Sequence, residues 1–318
     1  MFKKMEYVYA VYKEQSFSKA AEKLYVSQPC LSAAIRKIEE EVGVPLFERR
    51  YSSVRPTQIG LEYIEAVERI MDVQKSFAAK VYDMKHYEYG SLSIGASTYV
   101  TSYIIPQIVE HFSQQYPKID ITLTETHSLE LDKKIKNEEI DLIIDSFDEE
   151  NGALTFTPLF CEKILLAVPA SSKSNAGLEK YRFLPEALYR TQFDFSNVEQ
   201  IPINHFKDEK FILLKSGNNM YQHASEVFRK SNFTPKASYS LNQLITSYSF
   251  AASNNGVCFV TDTIFKYHKF HDDMFLYNVE NSGNRTLYVA QKKNRYTTQA
   301  MGKFIEMAKR IVGSRDIK

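Results

Sequence analysis

The chain has 318 residues, enough for about two domains of roughly 150 residues each. Its composition, 44% hydrophobic and 25% charged with 11 Gly and 10 Pro, excludes collagen-like, low-complexity and wholly disordered proteins. The net charge of +1 indicates no particular partner, but it allows a locally basic domain that binds nucleic acid.

The cysteines and the apolar runs bear on the cellular compartment. Cys30, Cys161 and Cys258 lack the spacing of a disulfide framework or a zinc site, so we interpret them as free thiols in a reducing compartment. The amino terminus has no signal-peptide core, and no uncharged apolar run approaches the roughly 18 residues of a membrane span. We expect a cytoplasmic protein without a membrane partner, a metal or a cofactor.

The first 60 residues have the pattern of a helix-turn-helix protein. Ser16 precedes a helical run in which Ala20, Ala21 and Leu24 share a face. Ser27 is the predicted N-cap of the next helix, and Pro29 is tolerated in its first turn. Gly43 is a natural end for that helix, and residues 46–56 are typical of a short β-ribbon. This order of elements is that of a winged DNA-binding domain.

The second helix carries side chains suited to DNA. Gln28, Ser32 and Arg36 lie four residues apart, away from the apolar stripe, and their groups can read base edges or bind phosphates. The first 60 residues hold ten basic and seven acidic side chains, a local net charge of +3. The alternative interpretation is a small helical bundle with a solvated charged surface.

From Thr57 to about Met84, apolar positions alternate spacings of four and three. This heptad pattern predicts one long helix that pairs with a second copy of the chain. The alternative is a long helix packed on its own globular domain. The seam consists of Tyr63, Val67, Ile70, Gln74, Phe77, Val81 and Met84.

After Gly90 the pattern becomes an alternation of strands and helices, which predicts a parallel sheet with crossover helices. Residues 170–210 have no legible pattern. The predicted strands are 91–95, 119–124, 141–145, 164–168, 211–214, 256–260, 275–279 and 287–290, and the predicted helices are 104–112, 128–137, 223–231 and 301–312.

Between Ser16 and Gly60 the sequence resembles the amino-terminal domain of LysR-type transcriptional regulators. The motifs that carry the resemblance are Ser16-Phe17-Ser18-Lys19-Ala20-Ala21, Leu24, Ser27-Gln28-Pro29, Leu31-Ser32, Ile35, Ile38-Glu39, Val42-Gly43, Leu46-Phe47-Glu48-Arg49 and Pro56-Thr57-Gln58-Ile59-Gly60. The resemblance implies a transcriptional regulator rather than an enzyme. Its partners would be double-stranded promoter DNA, a small-molecule effector, further copies of the chain as a dimer or dimer of dimers, and RNA polymerase.

The implied fold is α/β, with an all-α winged helix-turn-helix domain, a long linker helix and a two-lobed effector-binding domain similar to periplasmic binding proteins. The expected boundaries are 1–58 for the DNA-binding domain, 59–88 for the linker and dimerisation helix, and 89–318 for the effector-binding domain. Within that domain, lobe I is expected at 89–168 and 269–318, and lobe II at 169–268.

The resemblance also assigns DNA-facing residues by position. Ala33 and Ala34 depart from the family, which usually has a polar, often basic, pair there, and Ser52 replaces a common basic residue of the wing. These departures predict a thinner set of direct base contacts. The DNA-facing residues are Ser27, Gln28, Pro29, Ser32 and Arg36, with Arg49 and Arg50 near the wing.

The same resemblance places the effector between the two lobes. Helix starts favour an anion there, although Ser97, Thr98 and Ser128 also suit ordinary N-caps and Lys215 a solvated surface. The candidate effector-binding residues are Ser97, Thr98, Tyr99, Thr101, His127, Ser128, Ser146, Phe147, Lys215, Ser216 and Asn242.

A second hypothesis makes the α/β portion a binding module or an enzyme, with the helical front only assembling subunits. Ser16 and Lys19 have serine–lysine spacing but lie in the predicted DNA-binding domain. The run from His268 to Asp273 is weighed as a metal cluster against a solvated loop, which we favour. We find no nucleophile–base pair in residues 90–318 and therefore predict no catalytic residues.

Overall fold

The computed structural model describes residues 2, 4–50, 53–85, 90–147, 152–189, 193–270 and 273–313, with only the backbone of Arg49, Arg50, Ser53, Tyr82 and Lys85. The chain divides into two compact units, Met1–Lys85 with Asn294–Tyr296, and His86–Lys293 with Thr297–Lys318. The first unit contains α1 (Met5–Glu14), α2 (Phe17–Lys23), α3 (Gln28–Val42), β1 (Phe47–Arg50), β2 (Ser53–Pro56) and α4 (Gln58–Lys85).

The helix ends of the first unit follow the local chemistry of the sequence. The hydroxyl oxygens of Ser16 and Ser27 each accept a bond from the backbone N–H three residues later, at 3.4 Å. Gly43 ends α3 in the left-handed conformation, at φ 89°. The apolar stripe of α3 packs inward, and β1 and β2 pair antiparallel. The core consists of Met5, Val8, Val11, Ala20, Ala21, Leu31, Ile35, Ile38, Leu46, Phe47, Tyr63, Ile64 and Val67.

The two halves of α4 differ in burial. Tyr63 and Val67 are buried in the core of the first unit, as the single-domain alternative expects. Farther along, Phe77 is 69% exposed and Met84 76% exposed, as is Val73 at 68%. The helix therefore packs on its own unit at the amino-terminal end, and it leaves the seam side chains Phe77 and Met84 exposed near the other end.

The second unit is an α/β structure built on one mixed sheet. Its strands lie in the order β4-β3-β5-β12-β6-β10-β8-β9, and β11 joins β6 to β7. The elements are β3 (Gly90–Ala96), α5 (Thr98–Tyr103), α6 (Ile105–Gln115), β4 (Ile119–Glu125), α7 (Ser128–Lys136), β5 (Leu142–Ser146), β6 (Leu154–Pro169), β7 (Arg182–Phe183), β8 (Lys210–Leu214), α8 (Asn219–Lys230), β9 (Lys236–Leu241), α9 (Leu244–Ala252), β10 (Val257–Thr261), α10 (Asp262–Tyr267), β11 (Met274–Tyr277), β12 (Asn284–Lys292) and α11 (Gln299–Val312).

One strand, β6, runs through both lobes. β6 pairs with β12 along 154–163 and then with β10 and β11 along 164–169. Each lobe has a parallel trio, β4-β3-β5 in the first and β10-β8-β9 in the second. β11 pairs with β6 and β7 in the second lobe, so it does not belong to lobe I as predicted. The chain returns to the first lobe only with β12, because β11 hydrogen-bonds to the far end of β6.

Several elements differ from the predicted ones. The helix predicted around residues 104–112 is α6, and a short helix that was not predicted, α5, precedes it; Pro106 lacks the N–H that would continue α5 into α6. β9, α9 and α10 were not predicted. Between 170 and 210, the described residues form β7 and four short 3-10 turns, held by buried side chains such as Leu188, Ile203 and Phe206.

Candidate functional site

The start of α3 is the most exposed part of the predicted DNA-binding face. Gln28, Pro29 and Arg36 are exposed, whereas Ser32 is half-buried beside the apolar stripe. Ser27 caps the helix through its oxygen, which leaves its hydroxyl proton available to a phosphate. These five side chains come from three consecutive turns of one helix.

A carboxylate of α3 fixes the ribbon. Glu39 Oε1 accepts bonds from the backbone N–H groups of Leu46, at 2.8 Å, and Phe47, at 3.3 Å. The backbones of Arg49 and Arg50 lie in β1, opposite Val54 and Ser53. Their side chains are outside the described residues, as is the whole of Ser52, so the structure gives only the position of the ribbon that carries them.

In the second unit, a cavity of about 420 Å³ lies between the two lobes. It opens at the carboxyl ends of β3, β4 and β5 and of β8 and β9, where α/β proteins commonly bind ligands. Eight predicted effector residues line it: Ser97, Thr98, Tyr99, His127, Ser128, Lys215, Ser216 and Asn242.

Three predicted effector residues lie elsewhere. The Thr101 hydroxyl donates to the Ser97 carbonyl, at 3.1 Å, and Thr101 does not line the cavity. Ser146 and Phe147 line a second cavity of about 450 Å³, which shares Asn219 and Arg285 with the first. The predicted effector residues therefore do not share one cavity, which the sequence did not show.

The residues that line the cavity but were not predicted from the sequence are of two kinds. Most are neighbours of predicted ones in the same strand-to-helix turns, so a longer reading of each turn would have found them. Arg285 is different, because it lies at the start of β12, far from every predicted turn in sequence. The missed residues are Thr126, Asp145, Gly217, Asn218, Asn219, Met220, Gln243, Leu244 and Arg285.

Arg285 belongs to a buried polar network in the cavity wall. Its Nε donates to Glu162, whose side chain is fully buried, while the Arg285 side chain is 12% exposed. The Tyr99 hydroxyl donates to the other Glu162 oxygen at 2.8 Å. Burial, together with the Glu162 carboxylate, raises the pKa of Tyr99 well above its ordinary value. The tyrosine therefore stays neutral and holds Glu162 in place.

The Arg285 guanidinium has donors to spare. Within the described part of the chain, it makes no hydrogen bond besides the one to Glu162. A guanidinium carries five N–H groups, so several remain for a ligand in the cavities that Arg285 lines. Lys215 adds a second positive charge at the exposed end of β8.

A buried carboxyl group, Asp145, is the negative counterpart in the cavity wall. Burial raises its pKa above the ordinary aspartate value, against the opposing effect of Arg285. Its two oxygens accept bonds from the Ser146 N–H, at 2.8 Å, and the Ser128 hydroxyl, at 3.0 Å. Two donors of the first lobe thus hold the Asp145 carboxyl group in the cavity wall.

Helix starts add to the positive potential. α7 and α8 are capped by His127 and Asn218, whose side chains accept first-turn N–H groups. At the starts of α5 and α9, by contrast, Ser97 and Gln243 make no side-chain cap. First-turn N–H groups there are available to a bound group.

Asn219 and Gly217 of the second lobe contact the first lobe at the rim of the cavity. Asn219 Nδ2, in the second lobe, donates to the carbonyl and to Oγ of Ser146, in the first. Leu129 packs against Gly217, where a Cβ would lie 3.0 Å from Leu129 Cδ1. Gly217 has a φ of +97°, which favours glycine for a second reason. In the cavity wall, the Thr261 hydroxyl at the end of β10 also donates to the Tyr99 hydroxyl of the first lobe, at 3.4 Å.

Two further predictions concern membrane spans and metal sites. No described helix is long and apolar enough to cross a membrane. Within the same described ranges, no group of three or more His, Cys, Asp or Glu side chains has the arrangement of a metal site. His271 and Asp272, from the weighed metal cluster, lie outside those ranges.

The chain matches two family models. Residues 2–61 match the bacterial regulatory helix-turn-helix protein, lysR family, and residues 86–312 match the LysR substrate binding domain. The uncharacterized HTH-type transcriptional regulator YcgK of Bacillus subtilis is 30% identical over 313 residues, which are 96% of this chain and 93% of YcgK. These matches confirm the family resemblance, and they contradict a purely assembling role for the helical front.

Solved structures share the fold. A full-length OxyR variant from Pseudomonas aeruginosa has a TM-score of 0.61 and 21% identity, covering 95% of this chain and 92% of its own. The Synechocystis CcmR regulatory domain in complex with 2-PG has a TM-score of 0.59 and 17% identity, covering 70% and 97%. With these likenesses and the two family matches, the chain belongs to the LysR family of DNA-binding transcriptional regulators.

Proposed function

We propose that the protein binds operator DNA through the start of α3 and the β1–β2 ribbon. The supporting observation is the exposed face that begins at the Ser27 cap and continues through Gln28 to Arg36. In this arrangement Ser27, Gln28, Pro29, Ser32 and Arg36 enter the major groove, and Arg49 and Arg50 follow the phosphates.

The effector is a small organic anion, such as a carboxylate or a phosphate ester, bound between the lobes. The observation that carries this proposal is the Arg285 guanidinium, which makes one hydrogen bond within the described residues, to Glu162, and keeps further N–H donors for a ligand. Lys215 and the uncapped starts of α5 and α9 face the same cavity. Together these groups match a carboxylate or phosphate, which accepts several hydrogen bonds at once.

Binding would then control the regulator by lobe closure. An anion that contacts Lys215 in the second lobe and Ser97 in the first interacts better with the closed arrangement than with the open one, so it shifts the population toward closure. The Asn219–Ser146 hydrogen bond joins the two lobes at the rim of the cavity, so a movement of the lobes changes this bond. The output is a changed placement of DNA-binding domains in an oligomer.

Further parts of the proposal concern assembly and location. The exposed apolar side chains of α4, Val73, Phe77 and Met84, support self-association as a dimer or a dimer of dimers. Regulation of transcription places the protein in the cytoplasm with the chromosome, and RNA polymerase stays a predicted partner. The protein acts by binding rather than by catalysis.

Thermal unfolding of the full chain tests the effector proposal. The probes are 2-PG, citrate and benzoate, with benzamide as the uncharged control. We expect at least one anion to raise the melting temperature in a saturable way. Lys215→Met should weaken that anion about tenfold, because it removes one charged contact, whereas Lys210→Met, at the other end of β8, should not.

Two results would contradict the anionic effector. One is binding of benzamide as strongly as benzoate. The other is equal affinity of the Lys215→Met variant and the unchanged protein for the anion that binds.

A further inference from the structure

The first two turns of α3 expose apolar side chains where base-reading helices often carry polar ones. Pro29, Cys30 and Ala33 are exposed. Pro29 and Ala33 are four residues apart and therefore lie one above the other on the same side of the helix. Leu31 is on the buried side and Ser32 is half-buried. The centre of the exposed face is thus a strip of three small side chains, Pro29, Cys30 and Ala33.

Such a strip has a defined chemical preference in the major groove. A methyl group placed against a guanine, adenine or cytosine edge displaces water and leaves the base donors or acceptors unpaired, which is unfavourable. Thymine alone among the four bases offers an apolar group in this groove, its C5 methyl. An exposed alanine on a reading helix therefore matches thymine.

We propose that Ala33 determines base specificity by packing its methyl group against the C5 methyl of a thymine in the operator, with Pro29 beside it. The inference rests on the proposed DNA-facing side of α3, and it adds the identity of a base. Lys37, exposed on the following turn, supplies charge at the phosphates rather than base identity. Gln28 is left as the hydrogen-bonding reader of the first turn.

The experiment replaces thymines by deoxyuridine, which differs only by the missing methyl. Each thymine in the footprint upstream of the protein's own gene is replaced singly, and the affinity of the full chain is measured by gel shift. We expect at least one position at which the unchanged protein binds about fourfold more weakly, the factor that corresponds to burying one methyl group. Ala33→Gly should bind the thymine and deoxyuridine duplexes equally at that position.

Ala34→Gly is the matched control, because it makes the same change one residue along the same helix at a half-buried position. It shares the loss of helix propensity and should keep the discrimination. The inference is overturned if no single replacement weakens the unchanged protein, a result that needs no variant. It is also overturned if Ala33→Gly still distinguishes the two duplexes. Absence of a competitor-resistant complex with any thymine duplex would instead contradict the proposed DNA-binding face.

Discussion

The DNA-binding face and the effector cavity are built in opposite ways. Five of the seven proposed DNA-contacting residues lie within ten consecutive positions, Ser27 to Arg36, on one capped helix. The cavity is lined by residues from six separate stretches of chain, between Ser97 and Arg285. A site on one helix depends on the local sequence. A site built at the ends of several strands depends on the order in which those strands lie in the sheet.

That contrast predicts different consequences of mutation. Changes at the exposed start of α3 should alter DNA binding and leave stability nearly unchanged. Changes in the cavity wall should alter stability and ligand binding together, because Arg285, Glu162 and Tyr99 hold one another inside the fold.

The largest expected effect is that of Arg285→Met, which leaves the buried Glu162 carboxylate without its positive partner. Removing one member of a buried ion pair costs about 3–5 kcal/mol. Urea unfolding of the full chain, followed separately for the two units by hydrogen exchange, should show the loss in the second unit only. The double variant Arg285→Met with Glu162→Gln should recover most of the lost stability. If it recovers none, the unpaired Glu162 carboxylate is not the cause of the loss.

This contrast also explains what could be predicted from the sequence. Ser16, Ser27 and Gly43 act through neighbours within a few residues, so the ends of α2 and α3 were predictable. The pairing of β11 with β6 and the position of Arg285 depend on contacts between residues 107 and 123 apart in sequence, Phe275 with Val168 and Arg285 with Glu162. No local periodicity reports such contacts.

The next expected effect concerns α4, which is buried in its own unit in one half and exposes apolar side chains in the other. Phe77→Ser removes an exposed aromatic side chain and should weaken self-association by about 1.5–3 kcal/mol, the value of burying such a side chain. Val67→Ala, in the buried half, should instead lower the stability of the first unit. Sedimentation of both variants measures their self-association. If Phe77→Ser associates as strongly as the unchanged protein, α4 does not pair through its exposed side chains.

The smallest expected effect is that of Gln28→Ala on base preference. Losing a bidentate amide contact should reduce the discrimination between the operator and a substituted operator by about 1–3 kcal/mol. Stability should change by less than about 0.5 kcal/mol because the side chain is exposed. Competition gel shifts measure the base preference, and urea unfolding measures the stability. A large loss of stability with unchanged base preference would contradict a DNA-reading role for Gln28.

A gel shift of the full chain on the DNA upstream of its own gene tests sequence-specific binding most directly. It uses excess unrelated competitor DNA and two salt concentrations, because phosphate contacts weaken as salt rises. A discrete complex that survives the competitor and weakens with salt is the predicted result. The absence of a complex, or one that any DNA removes equally, would contradict sequence-specific binding through α3.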